Sequence, residues 1–217
     1  MAYDLTSVNF RIVTDKQGFM AECDQGYKDK VARAADMIAD NRRHSPIVLL
    51  SGPSGSGKTT TSMNIAEELK RRGISTHYVA MDDYFKTVDA TTPRTESGDL
   101  DLESPLCVDM ELMREHFEKL EKGERIFVPK YEFARRMRDS GFSKSIRLEK
   151  DEIVIFEGIH ALNGMIADYF PEAFKLYISA SRSSGGICPT SAADASCRFS
   201  SSIRALPIPE STTVTSS

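Results

Sequence analysis

An α/β fold with a mostly parallel sheet, covered by helices on both faces, is predicted by three patterns in the sequence. Short runs such as 47–50 and 153–156 are apolar throughout, which is typical of strands that are buried on both faces. These runs alternate with longer segments whose apolar residues recur at helical spacing. Segment 47–81 reads as strand, glycine-rich loop, helix and strand, which is the order of a βαβ unit. The patterns together favour one layered domain.

The first half of the chain contains this βαβ unit and a helix that precedes it. Each helix has an apolar stripe opposite charged residues, and each strand is a short apolar run. Gly73 ends the second helix, and the second strand runs into two carboxylates, Asp82 and Asp83. The predicted elements are a helix at 24–43, a strand at 47–50, a helix at 58–72 and a strand at 75–81.

The second half begins with a polar stretch, 86–106, that is too long for a simple connection and is typical of a functional loop. Gly123 then closes a helix as a C-cap would. A last apolar strand ends on Glu157 and Gly158 before a further short one. The predicted elements are a helix at 109–122, an extended segment at 126–133, and strands at 153–156 and 175–179.

Changes in composition divide the chain into three parts. Residues 1–44 are expected to form an N-terminal extension with a helix, and residues 45–180 the core of the fold. Residues 181–217 are rich in serine, lack lysine and show neither helical nor strand period. We therefore expect an irregular or disordered tail from residue 181 onward.

Composition excludes several classes of protein. The formal net charge of −4 provides no basic surface for nucleic acid, so no nucleic-acid partner is expected. Apolar runs are far shorter than a membrane span requires, so no membrane partner is expected either. The four cysteines show no paired spacing and the start of the chain shows no signal segment, which predicts a cytoplasmic protein. The four histidines have no metal-ligand spacing and are assigned no chemistry.

One motif carries specific chemistry. Residues 52–59 read GPSGSGKT and fit the phosphate-loop pattern GxxxxGK[ST] between a predicted strand and a predicted helix, which indicates a P-loop NTPase fold. Glycines allow backbone amides to surround phosphate, the lysine reaches the β- and γ-phosphates, and the threonine hydroxyl ligates Mg²⁺. The predicted nucleotide-binding residues are Gly52, Ser54, Gly55, Ser56, Gly57, Lys58, Thr59 and Thr60.

Four further segments resemble the uridine kinase and phosphoribulokinase group of P-loop kinases, over roughly residues 45–180. They read MDDYF from residue 81, LESP from residue 102 with Asp109, PKYEF from residue 129 with Arg138, and VIFEGI from residue 154. The resemblance implies an ATP-dependent kinase that uses Mg²⁺ and phosphorylates a hydroxyl of a small, nucleoside-like acceptor. It also implies that Asp82 and Lys58 are catalytic and that Glu157 joins Thr59 in holding the metal.

Physical arguments support two of these carboxylates. Asp82 follows a parallel strand next to the phosphate loop, where α/β sheets bind ligands and where a general base is needed. Glu157 ends an apolar strand, as an acidic partner of Mg²⁺ does. The alternatives are that Asp82 caps a turn and that backbone amides hold Glu157.

The acceptor residues implied by the resemblance are Phe85, Glu103, Tyr131, Phe133 and Arg136. Aromatic faces stack on bases, although ordinary core packing is the alternative for each of the three rings. Glu103 stands where the family has an aspartate, and Arg136 stands where the uridine enzymes have a histidine. Arg136 and its neighbours Arg135 and Arg138 are therefore expected either to meet an anionic acceptor or to form a solvated face.

The resemblance stops where the family has an arginine-rich lid, because the tail after residue 180 shows no such helix. Lid arginines stabilise the transferring phosphoryl group, so three readings stay open. The chain is a nucleoside kinase, a kinase of another metabolite such as a sugar phosphate or pantothenate, or a catalytically impaired ATP-binding module. The sequence leaves the oligomeric state open, a homo-oligomer included.

Overall fold

The computed structural model of the chain describes residues 5–180 and 201–206. Helices and strands alternate along this part of the chain, with two 3₁₀ turns at Met81–Tyr84 and Pro105–Cys107. The helices are α1 (Leu5–Thr14), α2 (Lys16–Asn41), α3 (Lys58–Arg71), α4 (Met110–Glu121) and α5 (Gly164–Ala167). The strands are β1 (Ile47–Ser51), β2 (Ser75–Ala80), β3 (Ile126–Glu132), β4 (Met137–Ile146), β5 (Glu152–Glu157), β6 (Phe174–Ala180) and β7 (Ser201–Ala205).

Five strands form the main sheet in the order β2-β5-β1-β6-β7, and the first four of them run parallel. This confirms the predicted α/β fold. In the register of the sheet, Leu50 of β1 and Ala80 of β2 both lie beside Glu157 of β5. Strands β1, β2 and β5 therefore end at the same edge, and the loops that follow them meet there.

Each face of the sheet covers its own apolar core. On one face, alternate residues of β1, β5 and β6 pack against α2 and α3, with Val48, Ile155 and Ile65 among the buried side chains. On the other face, Leu49 and Phe156 pack against α4 and the turn after β2. Burial on both sides explains why these strands are apolar throughout rather than alternating.

Helix α4 illustrates how local signals set the limits of an element. The Asp109 carboxylate accepts a hydrogen bond from the Leu112 amide at 3.1 Å and caps the first turn. Gly123 follows the helix with a φ of +70°, a conformation that favours glycine. Buried Met113, Phe117 and Leu120 recur at helical spacing and fix the face that packs on the sheet.

The N-terminal extension contains more helix than the sequence predicted. Helix α2 begins at Lys16 instead of residue 24, capped by the Asp15 carboxylate, which accepts a hydrogen bond from the Gly18 amide at 3.0 Å. Val31 and Ile38 of α2 are buried in the same core as α3 and the sheet. The helix of the extension is thus packed as part of the core, while the division near residue 44 stays a prediction.

Two strands were missed by the sequence analysis. Strand β4 pairs antiparallel with β3 to form a hairpin outside the main sheet, and all its residues except Ile146 are at least partly exposed, so it lacks an apolar pattern. Strand β7 pairs antiparallel with β6 at residues for which an irregular tail was expected, and that expectation was wrong there. Residues 181–200 and 207–217 of the predicted tail lie outside the described residues.

Two further observations concern membrane-spanning helices and cysteines. Among residues 5–180 and 201–206, helices of the length and apolar content that crossing a bilayer demands do not occur. Cys23 is half-buried and Cys107 is buried, while Cys188 and Cys197 fall outside the described ranges.

Candidate active site

The phosphate loop connects β1 to α3 at the edge where the parallel strands end. A Cβ atom on Gly52 would lie 2.2 Å from the carbonyl oxygen of Ile178 in β6, so the sheet leaves room for glycine only. Gly57 has a φ of +84°, and its carbonyl accepts a hydrogen bond from the Thr61 amide at 2.9 Å, which starts α3. The loop therefore ends at a helix N-terminus, whose free amides favour an anion.

The serines of the loop differ in exposure. Ser54 and Gly55 are exposed at its tip, whereas Ser56 is buried. The Ser56 hydroxyl has no hydrogen-bond partner within the described part of the chain. A buried hydroxyl normally has a partner, so this orphan fits a loop that is built around an additional acceptor such as a phosphate oxygen. Thr60 is half-buried in the first turn of α3.

Lys58 lies over the loop. Its Nζ donates a hydrogen bond to the carbonyl of Pro53 at 3.0 Å and lies 3.7 Å from Oε1 of Glu157. Both charged side chains are only about a tenth exposed, at 11% and 10%. A largely buried ammonium group that is held by one carbonyl and one carboxylate is well placed to bind phosphate oxygens.

Glu157, at the end of β5, is the centre of a polar cluster. Its Oε2 accepts hydrogen bonds from the hydroxyls of Thr59 at 3.1 Å and Tyr78 at 2.5 Å. A carboxylate oxygen next to a threonine hydroxyl is a donor set that suits Mg²⁺, so Glu157 and Thr59 fit the predicted metal site. The described residues contain no cluster of three or more His, Cys, Asp or Glu that could hold a metal by itself. Mg²⁺ sites commonly use one or two carboxylates and substrate phosphates instead.

Asp82 lies in the 3₁₀ turn after β2, on the same edge of the sheet. The side chain is exposed, but the surrounding protein partly desolvates the carboxylate and raises its pKa, and the negative charge of Glu157 adds to this effect. The positive charge of Lys58 opposes it. The structure thus places Asp82 within electrostatic range of both the predicted phosphate and metal ligands.

The three predicted acceptor aromatics lie together. The ring centroids of Phe85 and Tyr131 are 5.5 Å apart, those of Tyr131 and Phe133 are 5.0 Å apart, and those of Phe85 and Phe133 are 6.0 Å apart. Phe85 and Tyr131 are buried, but Phe133 is 55% exposed. A cavity of about 230 Å³ adjoins the cluster, lined by Phe85, Tyr131, Cys107 and residues 86–89 and 91–93 among others.

The arginines of the hairpin turn have separate surroundings. Arg138 donates a hydrogen bond to the Asp109 carboxylate at 2.9 Å and another to the Tyr84 carbonyl at 3.0 Å. Arg135 pairs with Glu132 at 3.3 Å. Each of the two arginines thus has a carboxylate partner, and the choice between an anionic acceptor and a solvated face stays a prediction.

The two remaining predicted acceptor residues, Arg136 and Glu103, are exposed. Arg136 has a φ of +52°, and its carbonyl accepts a hydrogen bond from the Val88 amide at 3.0 Å, which ties the hairpin turn to the wall of the cavity. Glu103 lies on the loop that leads to the second 3₁₀ turn, where its backbone faces the imidazole of His160. The two residues thus lie on different loops, and neither belongs to the aromatic cluster.

Sequence reasoning missed two residues at this edge. Tyr78 was treated as an ordinary strand residue, yet its hydroxyl contacts Glu157. His160 was assigned no chemistry, yet it lies near Asp82 and Glu103, and its Nε2 is buried without a hydrogen-bond partner in the described part of the chain. Knowledge of the strand order would have revealed Tyr78, because it pairs with Ile155, two residues before Glu157 on β5.

Comparison with known proteins agrees with the resemblance to the uridine kinase and phosphoribulokinase group. The model of the Phosphoribulokinase / Uridine kinase family matches residues 47–181, which is more than half of the chain. A uridine kinase from Bacillus pumilus is 35% identical over 121 residues, which cover 55% of this chain and 55% of that protein. A uridine kinase from Halobacterium salinarum is 28% identical over 114 residues, which cover 52% and 48%. The chain spans about half the length of these curated relatives.

A solved structure shows that the fold is shared as well. The structure of a possible uridine kinase from Bacillus stearothermophilus aligns with a TM-score of 0.51 at 19% sequence identity, over 67% of this chain and 79% of that one. At this identity the likeness shows the fold alone. The family model, by contrast, matches the segment that contains the phosphate loop, Asp82 and Glu157. The chain therefore belongs to the Phosphoribulokinase / Uridine kinase family.

Proposed function

We propose that this chain transfers the γ-phosphoryl group of ATP, with Mg²⁺, to a hydroxyl of a nucleoside-like acceptor. The observation that carries the proposal is the arrangement along one edge of the sheet. The phosphate loop, Glu157 and Asp82 meet there, and Phe85 begins the aromatic cluster three residues after Asp82. In this proposal, Asp82 acts between a donor site at the phosphate loop and Glu157 and an acceptor site at the aromatic cluster.

On the donor side, the loop amides, the α3 N-terminus and Lys58 would bind the β- and γ-phosphates. Thr59 and Glu157 would hold Mg²⁺, which when bound neutralises charge on the phosphates and helps to orient them. The Lys58 ammonium is close to both the loop and Glu157, so it needs only a short movement to follow the phosphates.

On the acceptor side, Asp82 would accept the proton of the attacking hydroxyl. The hydroxyl oxygen forms the new bond to the γ-phosphorus, and the bond from that phosphorus to the β–γ bridging oxygen breaks, so ADP leaves with the electron pair. The raised pKa of Asp82 supports this role, because a base is more effective when its pKa approaches the working pH.

The aromatic cluster supports a planar acceptor. Phe133 is more than half exposed, while the Phe85 and Tyr131 rings that it contacts are buried. The exposed part of the Phe133 ring is therefore available to stack on a planar acceptor, and the two buried rings hold it in place. Base stacking on aromatic side chains contributes about 1–3 kcal/mol per base in nucleic-acid complexes. The exposed Phe133 ring therefore favours a nucleoside over an acceptor that has no aromatic base.

The test is ADP release with a panel of nucleosides, sugar phosphates and pantothenate, measured for the native chain, Asp82→Asn and Asp40→Asn. Asp40 is an exposed aspartate of α2 and provides the matched control. We expect release with at least one nucleoside, loss of release in Asp82→Asn, and full release in Asp40→Asn. Binding of ATP without release for any acceptor would instead identify a nucleotide-binding module, and release with another acceptor class would correct the substrate.

A further inference from the structure

In the described part of the chain, three polar groups contact the Glu157 carboxylate, and two of them belong to the phosphate loop or its helix. Thr59 donates to Oε2 at 3.1 Å, and the Lys58 ammonium lies 3.7 Å from Oε1. Both are residues that the proposed function assigns to Mg²⁺ and phosphate. Once they turn toward those ligands, their contacts with Glu157 weaken. The third neighbour, the hydroxyl of Tyr78, comes from β2, interacts with the Thr59 side chain as well, and is not among the residues that the proposed function assigns to phosphate or Mg²⁺.

We infer that Tyr78 is a positioning residue whose hydroxyl holds the Glu157 carboxylate in the orientation that binds Mg²⁺ with ATP. The inference rests on the proposed function. The hydroxyl donates to Oε2 at 2.5 Å, a short distance that is typical of an O–H donor on a carboxylate. Partners of this kind orient a metal ligand, and their loss typically reduces metal affinity or activity by about 10- to 100-fold.

The position of Tyr78 in the sheet keeps its side chain next to Glu157. Its strand pairs in parallel with β5, and Tyr78 lies opposite Ile155, two residues from Glu157, so both side chains emerge on the same face of the sheet. The Tyr78 carbonyl accepts a hydrogen bond from the Lys144 ammonium of β4 at 2.6 Å. That ammonium also lies 5.9 Å from the centroid of the Tyr78 ring.

Burial adds to this support. Tyr78 is half-buried, and Glu157 is only 8% exposed, so water can replace the hydroxyl on the carboxylate only in part. A buried carboxylate oxygen without its donor is costly, and the side chain would turn to find another partner. The orientation of Glu157 in the complex with ATP and Mg²⁺ therefore depends on the Tyr78 hydroxyl.

The experiment measures binding of a non-hydrolysable ATP analogue by calorimetry, in excess Mg²⁺ and again in a chelator of divalent cations. The variants are Tyr78→Phe, which removes only the hydroxyl, and Tyr27→Phe as a matched control. Tyr27 also hydrogen-bonds a threonine of α3, through its hydroxyl to Thr61 at 3.1 Å, but has no charged partner in that contact.

We expect Tyr78→Phe to reduce affinity about 10- to 100-fold in Mg²⁺ and to leave affinity in the chelator unchanged. Tyr27→Phe should change neither value. Unchanged affinity in Mg²⁺, an equal loss in both conditions, or a Tyr78→Phe chain that does not fold would each overturn the inference. If the native chain itself shows no Mg²⁺-dependent binding of the analogue, the proposed function fails instead.

A double-mutant cycle with Glu157→Gln separates positioning from a general structural effect. If the hydroxyl acts through Glu157, the losses in Mg²⁺-dependent affinity should not add, because the second change removes a contact that the first has already broken. The double variant should then bind about as weakly as Glu157→Gln alone. Additive losses would show that Tyr78 acts by another route and would overturn the inference.

Discussion

The proposed phosphate side and the proposed acceptor side of the site are built in different ways. The proposed phosphate side comes mainly from one continuous segment, residues 52–59, which connects β1 to α3. The proposed acceptor side comes from two segments that are distant in sequence, with Phe85 after β2, and Tyr131 and Phe133 at the end of β3 and the start of the hairpin turn. A local motif can be recognised from its sequence alone, whereas an assembled pocket depends on packing between distant residues.

The difference extends to how each side is held in place. The phosphate loop is held by the sheet, where Gly52 packs against the backbone of β6 without room for a side chain. The acceptor side is held by polar contacts between the turn and the hairpin. The Asp83 carboxylate interacts with the Tyr131 backbone and Ser143, while Arg138 connects Asp109 to the Tyr84 carbonyl. ATP affinity should therefore depend little on which acceptor is bound. A substitution on one side of the site should also leave the properties of the other side nearly unchanged.

The largest expected effect is on the side of the acceptor. Asp82→Asn should lower kcat by about 10²- to 10⁴-fold, because the amide keeps the size of the carboxylate but cannot accept the hydroxyl proton. Affinity for ATP should change little, since Asp82 is not among the phosphate ligands. Steady-state kinetics combined with calorimetry will check this, and an unchanged kcat would leave Asp82 as a turn residue only.

A smaller effect is expected on the phosphate side. Lys58→Ala should weaken ATP binding by about 1.5–3 kcal/mol, which is the range for a hydrogen bond to a charged group. Binding of adenosine should be affected less, because adenosine has no phosphate for the lysine to contact. Lys70→Ala, at an exposed position in the last turn of α3, is the matched control for calorimetry. Equal weakening for ATP and adenosine would show that Lys58 acts through folding.

Deletion of β7 tests whether the edge strand of the main sheet affects stability or ATP binding. A chain that ends at residue 200 lacks β7, which pairs with β6 and contributes the partly buried Ile203 and Ala205 to one core. At about 0.2–1 kcal/mol for each cross-strand pair, we expect a loss of roughly 1–3 kcal/mol. This lowers the thermal midpoint by about 2–4 °C per kcal/mol in a chain of this size.

ATP affinity should survive that deletion, because the predicted phosphate and metal ligands lie before residue 158. A chain that ends at residue 206 keeps β7 and is the control for the melting experiment. If the two truncated chains melt at the same temperature, β7 adds nothing to stability. If the shorter chain no longer binds ATP, the phosphate side depends on the sheet edge and the separation of the two sides is wrong.

The smallest expected effect is a pH-dependent difference in stability. Because the folded protein raises the pKa of Asp82, ionised Asp82 is less favourable in the folded than in the unfolded chain. The contribution of protonated Asp82 to the stability of the folded protein is fully present below the pKa of about 3.9 that Asp82 has in the unfolded chain. It is lost as the pH rises through the higher pKa of Asp82 in the folded protein. Asp82→Asn should therefore gain thermal stability over the native chain as the pH increases from 4 to 7, with Asp40→Asn as control. Solvent screening keeps this gain small, and a constant difference across that range would contradict the shift.

Much of the fold could be predicted because its signals are local or periodic. Strands β1 and β5 are apolar runs, α4 has a cap at Asp109 and a glycine at residue 123, and the phosphate loop is contiguous. Strand β4 could not be predicted in this way. It lies in a hairpin outside the main sheet, and all its residues except Ile146 are at least partly exposed, so no apolar period marks it.

The acceptor residues show a different limit. Aromatic residues suit both a core and a stacking surface, and the sequence does not distinguish Phe133, which is exposed, from Phe85 and Tyr131, which are buried. The arginines of the turn were similarly ambiguous until the contacts of Arg138 with Asp109 and the Tyr84 carbonyl separated it from Arg136. Such assignments depend on neighbours that are distant in sequence.

The sequence by itself determined the α/β class, the phosphate loop and the carboxylates near the ends of β2 and β5, because glycine spacing and apolar runs act through neighbouring residues. Only the tertiary structure decided which side chains share the edge of the sheet. The strand order brings β2 beside β5, and this neighbourhood allows Tyr78 to reach Glu157 across the two strands. Strand order follows from the packing of whole helices on both faces of the sheet, so no local pattern encodes that contact.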